Sequence, residues 1–164
     1  MVQLRRWIDD DYELLKQCNT AEMTAYLGGP ESSKALSDRH RRYVNNDAPG
    51  GMFAIVLDDG DVAGSIGYWE HSEVSSTVWE TGWAVIPTHQ GRGVASAAIR
   101  AVAALASAER THHTLHAYPA VENAASNALC HKAGFVLIGL RNFEYPKGHW
   151  MICNDWSLSL SQPR

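Results

Sequence analysis

The chain has 164 residues, 45% hydrophobic and 20% charged, a composition that fits a soluble globular domain more than a disordered one, and no apolar run approaches the length of a membrane span. Fourteen Lys and Arg against eighteen Asp and Glu leave a formal charge of −4, so no nucleic-acid or membrane partner is expected. Cys18, Cys130 and Cys153 make no CxxC pair, so neither a disulfide framework nor a metal site is expected, and without an apolar leader the default location is cytoplasmic.

Residues 2–8 read as a strand, and Asp9 to Asp11 cap a helix over about 11–18. Ser32 to Val44 reads as a helix, ended by the Asn, Pro and Gly cluster of residues 45–51. Met52 to Leu57 and Val62 to Trp69 flank the turn Asp58-Asp59-Gly60-Asp61 and form a hairpin. A second bend at Ser72 to Ser76 leads into a strand from Val78 to Ile86, stopped by Pro87. The alanine-rich segment 92–109 is a helix by propensity, with Val94, Ile99, Val102 and Leu105 spaced as one packing face. Thr114 to Tyr118 is a strand, Asn123 to Lys132 a helix closed by Gly134, and Phe135 to Leu140 (continuing toward Tyr145) and Met151 to Leu160 the last strands. This order predicts one mixed α/β domain over residues 1–164, with antiparallel and parallel pairing in the same sheet. A right-handed crossover through the alanine-rich helix makes strands 78–86 and 114–118 parallel neighbours.

The segment Gln90-Gly91-Arg92-Gly93-Val94-Ala95 lies between a strand and that helix. A helix N-terminus presents unpaired N–H groups and the positive end of the peptide dipoles, which suits a phosphate. Glycines at 91 and 93 allow close approach, and Ala95 is small enough to leave the helix start open. A bare turn with no ligand satisfies the same six residues. Neither a Walker loop nor the dinucleotide fingerprint fits, because no Gly-Lys-Ser follows and a third glycine is missing.

From Val85-Ile86-Pro87 through Ala95, the chain resembles the acetyl-coenzyme A (acetyl-CoA) loop of the GCN5-related N-acetyltransferase (GNAT) family. Asn123-Ala124-Ala125-Ser126 followed by Lys132-Ala133-Gly134-Phe135 resembles a later element of the same family, at the right separation. Glu80-Thr81-Gly82-Trp83 and Asn123-x-x-Ser126 look most like its ribosomal-protein N-terminal acetyltransferase branch. The resemblance implies a twisted mixed sheet of about six to seven strands with about four helices, its parallel fourth and fifth strands splayed apart. It implies that pyrophosphate of acetyl-CoA rests on Gln90, Gly91, Arg92, Gly93, Val94 and Ala95. It also implies that backbone groups of Trp83 and Val85 meet pantetheine and the acetyl carbonyl, with Asn123 and Lys132 as further contacts. The implied reaction is acetyl transfer to a primary amine by direct attack in a ternary complex.

Such a transfer needs a base for the protonated amine and a proton for the departing thiolate. Glu80 is the expected base, sharing a face with Gly82, Ala84 and Ile86 if no bulge intervenes; Glu70, His71 and Glu144 are alternatives. Four residues before Gly134, where many members of the family carry a tyrosine acid, stands Cys130, whose thiol is either a donor or a packed spacer. Tyr118 and Ser126 are the other proton-donor candidates. His112, His113 and His116 lack a metal-ligand spacing and read as structural or solvated. Tyr26 to Pro30 and Tyr145 to His149 are expected as rims of the acceptor cleft. The acceptor stays open between a peptide N-terminus and a small-molecule amine, and the assembly between monomer and homodimer. A non-catalytic acyl-CoA sensor on the same fold is the competing reading.

Overall fold

The computed structural model describes residues 1–160. Its strands are β1 (Val2–Arg6), β2 (Gly51–Leu57), β3 (Val62–Ser72), β4 (Thr77–Val85), β5 (Thr114–Ala117), β6 (Val136–Glu144) and β7 (Trp150–Ser159). Its helices are α1 (Tyr12–Gln17), α2 (Ser33–Val44), α3 (Val94–Glu109) and α4 (Ala124–Lys132). One seven-stranded sheet runs in the order β1-β2-β3-β4-β5-β7-β6. All neighbours are antiparallel except β4 and β5, which are parallel as the crossover requires.

Strand alternation gives the sheet two apolar faces, each covered by a helix pair. Trp79 and Val85 of β4, Ile66 of β3 and Leu115 of β5 pack with Val94, Ala98, Ile99, Val102 and Ala106 of α3. On the opposite face Ala54 of β2 packs with Leu14, Leu15 and Leu36, where Ile86 and Val62 also reach. Fully burying one such branched side chain contributes about 1.5–3 kcal/mol, so the sheet is held from both sides. Local signals agree with this packing. The Ser32 hydroxyl accepts from the Ala35 N–H at the start of α2, and Asn123 Oδ1 accepts from the Ser126 N–H at the start of α4.

Some boundaries differ from the sequence expectation, for physical reasons. The helix expected from 92 begins at Val94, because Gly91 and Gly93 stand at φ 70° and 78°, outside the right-handed helical region. Leu105 is 38% exposed, and Ala106 beside it takes the inward place. Strand β3 runs three residues past Trp69 to Ser72, because β4 pairs with it from Ser72↔Thr77 onward. That extension carries His71 into the sheet. No register shift interrupts β3 and β4, so Glu80, Gly82 and Ala84 do share one face.

Candidate active site

β4 and β5 pair only at Trp79↔Leu115 and Glu80↔His116. β5 then ends at Ala117 while β4 continues to Val85, so the two strands part along the second half of β4. The N–H of Ile86 donates to the Ala63 carbonyl on the β3 side. Main-chain groups alternate sides along a strand, so those of Trp83 and Val85 turn toward the gap. The Val85 carbonyl agrees with this direction: it accepts from the Gln90 side-chain amide at 2.8 Å.

Directly after the strand, Pro87–His89 make one 3-10 turn, and the left-handed Gly93 precedes α3. A Cβ placed on Gly91 or Gly93 would meet no atom within 4 Å, so the loop faces open space. The glycines are therefore there for backbone dihedral and access, not for packing. The α3 N-terminus supplies unpaired N–H groups beside them, and the Arg92 guanidinium lies 3.3 Å from His89 Nδ1 at the exposed rim. This donor set fits a pyrophosphate, and the unpaired edge of β4 fits the amide-bearing arm of a pantetheine.

The face carrying Glu80 is polar and interlocked. Glu80 Oε2 lies 3.0 Å from His71 Nδ1. The His71 ring stacks on Phe143 at 5.8 Å between centroids and tilts against Tyr118 at 5.1 Å. The Tyr118 hydroxyl donates to Glu73 Oε1 at 2.5 Å, and Arg141 bridges Glu73 Oε2 at 2.6 Å and Asp155 Oδ2 at 2.8 Å. His116 Nδ1 completes the chain on Asp155 Oδ1 at 2.8 Å. Glu80 holds the His71 pKa above its ordinary value, mainly through this hydrogen bond. Burial, then Glu73, raises that of Tyr118 strongly, so its hydroxyl stays protonated. A cavity of about 280 Å³ opens on this face, lined by His71, Glu73, Tyr118, Arg141, Phe143 and Trp150 among others. Glu73, His116 and Asp155 hold one ligand atom each within 4.8 Å of one another. Their carboxylates are already engaged by Arg141 and Tyr118, so protein groups meet the charge.

Several expected site residues thus converge. Trp83 and Val85 turn main-chain groups toward the gap, Gln90, Gly91, Arg92 and Gly93 form the loop that follows, and Val94 and Ala95 open α3 with side chains in or against the core, while Glu80 and Tyr118 belong to the polar face. Asn123 spends its side-chain oxygen on the α4 cap, and Ser126 supplies the N–H that it accepts. Lys132 is exposed in the last turn of α4, where a cation also suits the helix dipole. Cys130 is fully buried in the core, and desolvation pushes its thiol up to about 12. That environment is a spacer's, whereas Tyr118 opens on the cavity. His112 bonds Glu70 at 2.8 Å, a structural pairing of the kind expected.

The two expected rims meet. A Cβ on Gly28 would lie 3.2 Å from Pro146 and 3.3 Å from His149, and the Arg39 guanidinium donates to the Tyr145 hydroxyl at 2.8 Å. Sequence reasoning missed Glu73, Arg141, Phe143 and Asp155. Glu73 sat in an apparent turn, and the other three sat on two late strands whose register no local pattern reveals.

Comparison with known proteins gives one family. A family model described as an acetyltransferase (GNAT) domain matches residues 2–136. Among solved structures, a Vibrio cholerae spermidine N-acetyltransferase in complex with CoA and spermine is 20% identical, with TM-score 0.79 over 98% of this chain and 96% of that one. An acetyltransferase (GNAT family) from Bacillus anthracis is 19% identical, with TM-score 0.79 over 97% and 95%. The aminoglycoside acetyltransferase AAC(6')-Ib in complex with coenzyme A is 16% identical, also at 0.79 over 97% and 95%. None of the curated proteins compared matches this chain.

Proposed function

The chain belongs to the GNAT acetyltransferase family, and on that premise we propose that it transfers an acetyl group from acetyl-CoA to a primary amine by direct attack in a ternary complex. The observation that carries this reading is the parting of β4 from β5 beside an open glycine loop at the start of α3. When bound, acetyl-CoA supplies a thioester carbonyl for the amine to attack and a thiolate that leaves as the free thiol.

The residues of the chain divide the remaining work. Amides of Gly91 to Ala95 and the Arg92 guanidinium bind pyrophosphate, with Gln90 fixing the loop to the strand end. Backbone N–H groups of Trp83 and Val85 orient the pantetheine arm and stabilise charge on the carbonyl oxygen. Asn123 is assigned to the pantetheine arm and Lys132 to a phosphate at the outer end of the cofactor. Proton removal from the amine is assigned to the Glu80 carboxylate together with the imidazole hydrogen-bonded to it. Of the donor candidates, Cys130 is buried and Tyr118, which opens on the cavity, already donates to Glu73 and has its pKa raised, so the proton for the leaving thiolate is assigned to water there. Two protons leave the ammonium overall, one to bulk water and one to the thiol product.

The acceptor is a small-molecule amine or a peptide N-terminus, the latter following the resemblance to the ribosomal-protein branch. The structural relatives named for spermidine and aminoglycosides favour the former, as does a cavity of about 280 Å³. The chain is assigned to the cytoplasm as a single domain, monomeric or homodimeric. No helix among the described residues is long and apolar enough to cross a membrane. Calorimetry with acetyl-CoA, followed by thiol release against spermidine, an aminoglycoside and a tripeptide with a free N-terminus, tests the reading. Saturable binding with release on one acceptor supports it. Binding with no release on any amine would assign the chain to acyl-CoA sensing, and no binding at millimolar acetyl-CoA would overturn both.

A further inference from the structure

The sequence singles out Glu80 as the base, yet the structure puts another group between it and the cavity. The Glu80 side chain is 13% exposed against 29% for His71, and His71, not Glu80, is among the residues that line the cavity. The imidazole is held on three sides. Nδ1 faces Glu80 Oε2 at 3.0 Å, one ring face stacks on Phe143 and another contact is Tyr118. A carboxylate partner takes the N–H of Nδ1, which leaves the lone pair of the neutral ring on Nε2, at the side of the ring away from Glu80.

We propose that His71 is the catalytic residue that takes the acceptor's proton, at Nε2, and that Glu80 is a positioning residue acting through it. This rests on the acetyl-transfer reading above and names the atom that touches the amine. In the step, the N–H bond of the bound ammonium breaks, its electron pair stays on the amine nitrogen, and the proton forms a bond to Nε2. The Nδ1–H stays hydrogen-bonded to Glu80 throughout, so the imidazolium forms beside a carboxylate and then releases its proton to water through the cavity. The roles parallel those of a serine hydrolase's histidine and aspartate, transferred here to an amine.

Charged and titratable groups around the ring set its working range. Glu80 on β4 and Glu73 just past β3 favour the imidazolium, Arg141 on β6 and burial oppose it, and Tyr118 after β5 is neutral. The balance raises the ring's pKa, so turnover rises with pH as His71 loses its proton. Removing the Glu80 charge moves that limb to lower pH.

The test combines His71→Gln, Glu80→Gln and a nitrogen-detected NMR titration of His71 in the full chain. His71→Gln is expected to lower kcat by about 10²–10⁴-fold and abolish the acidic limb, with acetyl-CoA affinity by calorimetry unchanged within about twofold. Glu80→Gln is expected to keep a larger share of kcat and to shift the limb to lower pH. The spectrum should show neutral His71 as the Nδ1–H tautomer, with a pKa that falls in Glu80→Gln. Near-normal turnover and an intact limb in His71→Gln, with Glu80→Gln inactive, would return the base to Glu80 and overturn the proposal. An Nε2–H tautomer, or a His71 pKa indifferent to Glu80→Gln, would overturn it even if no acceptor is turned over. Failure of the wild type to bind acetyl-CoA would instead strike the family-based reading, leaving the tautomer result to judge the dyad.

Discussion

The side-chain amide of Gln90 donates to the main-chain carbonyl of Val85 across 2.8 Å, tying the mouth of the glycine loop to the last residue of β4. One residue thereby satisfies a strand carbonyl that has no neighbouring strand and fixes the distance from the gap to the α3 N-terminus. A side-chain hydrogen bond of this kind contributes about 0.5–1.5 kcal/mol net. Gln90→Ala is expected to weaken acetyl-CoA by about 2- to 10-fold in Kd, with a small drop in Tm. Calorimetry and a thermal scan measure both. A large stability loss with unchanged affinity would mean that the bond serves folding and not the loop.

Arg141 stands between two carboxylates, one of them nearly inaccessible: Asp155 is 1% exposed. Arg141→Met keeps much of the side-chain volume but removes the guanidinium facing that carboxylate, leaving His116 Nδ1 as its remaining hydrogen-bond partner. Breaking a buried pair on one side costs about 3–5 kcal/mol, and a partly exposed arginine puts the expectation at the lower end, about 3 kcal/mol. Urea unfolding gives the number. A loss below about 1 kcal/mol would place the pair among surface ion pairs.

Linkage between His71 and Glu80 has a definite sign. The folded pKa of His71 is raised above its unfolded value, so the pair's contribution is whole below the unfolded value of about 6.5. It disappears as pH rises through the higher folded value. The stability gap between wild type and Glu80→Gln should therefore be largest in mild acid and narrow toward alkaline pH. A gap that widens with pH would show that the imidazole gains nothing from Glu80 in the folded state.

The three thiols bear on how activity can be measured. Desolvation pushes Cys18 up to about 11, Cys130 to about 12 and Cys153 to about 11, so little thiolate exists at neutral pH. Folded protein should react slowly with a disulfide reagent such as 5,5'-dithiobis(2-nitrobenzoate), and denatured protein should release colour for all three cysteines of the chain. Cys18 is only partly buried, so rapid reaction of more than one thiol equivalent in the native state would contradict the packing around Cys130 and Cys153.

Local chemistry is enough to read the element order, the parallel crossover and the phosphate-suited loop. Alanine propensity, alternation along β4 and paired glycines act within a few residues, and Gly91 and Gly93 announce their left-handed backbone directly. The same short-range signals suffice to put Glu80 on an inward face. What the tertiary structure alone decided is who surrounds that carboxylate. His71 lies at the far end of β3 and Glu73 just past it, Arg141 and Phe143 on β6, and Asp155 on β7, and only the closing of the sheet in the order β4-β5-β7-β6 brings them together. Strand register is set by packing across the whole sheet, so no short window of sequence carries it. For that reason the burial of Cys130, which the sequence leaves open between donor and spacer, and the presence of an imidazole lining the cavity beside Glu80 are decided only in three dimensions.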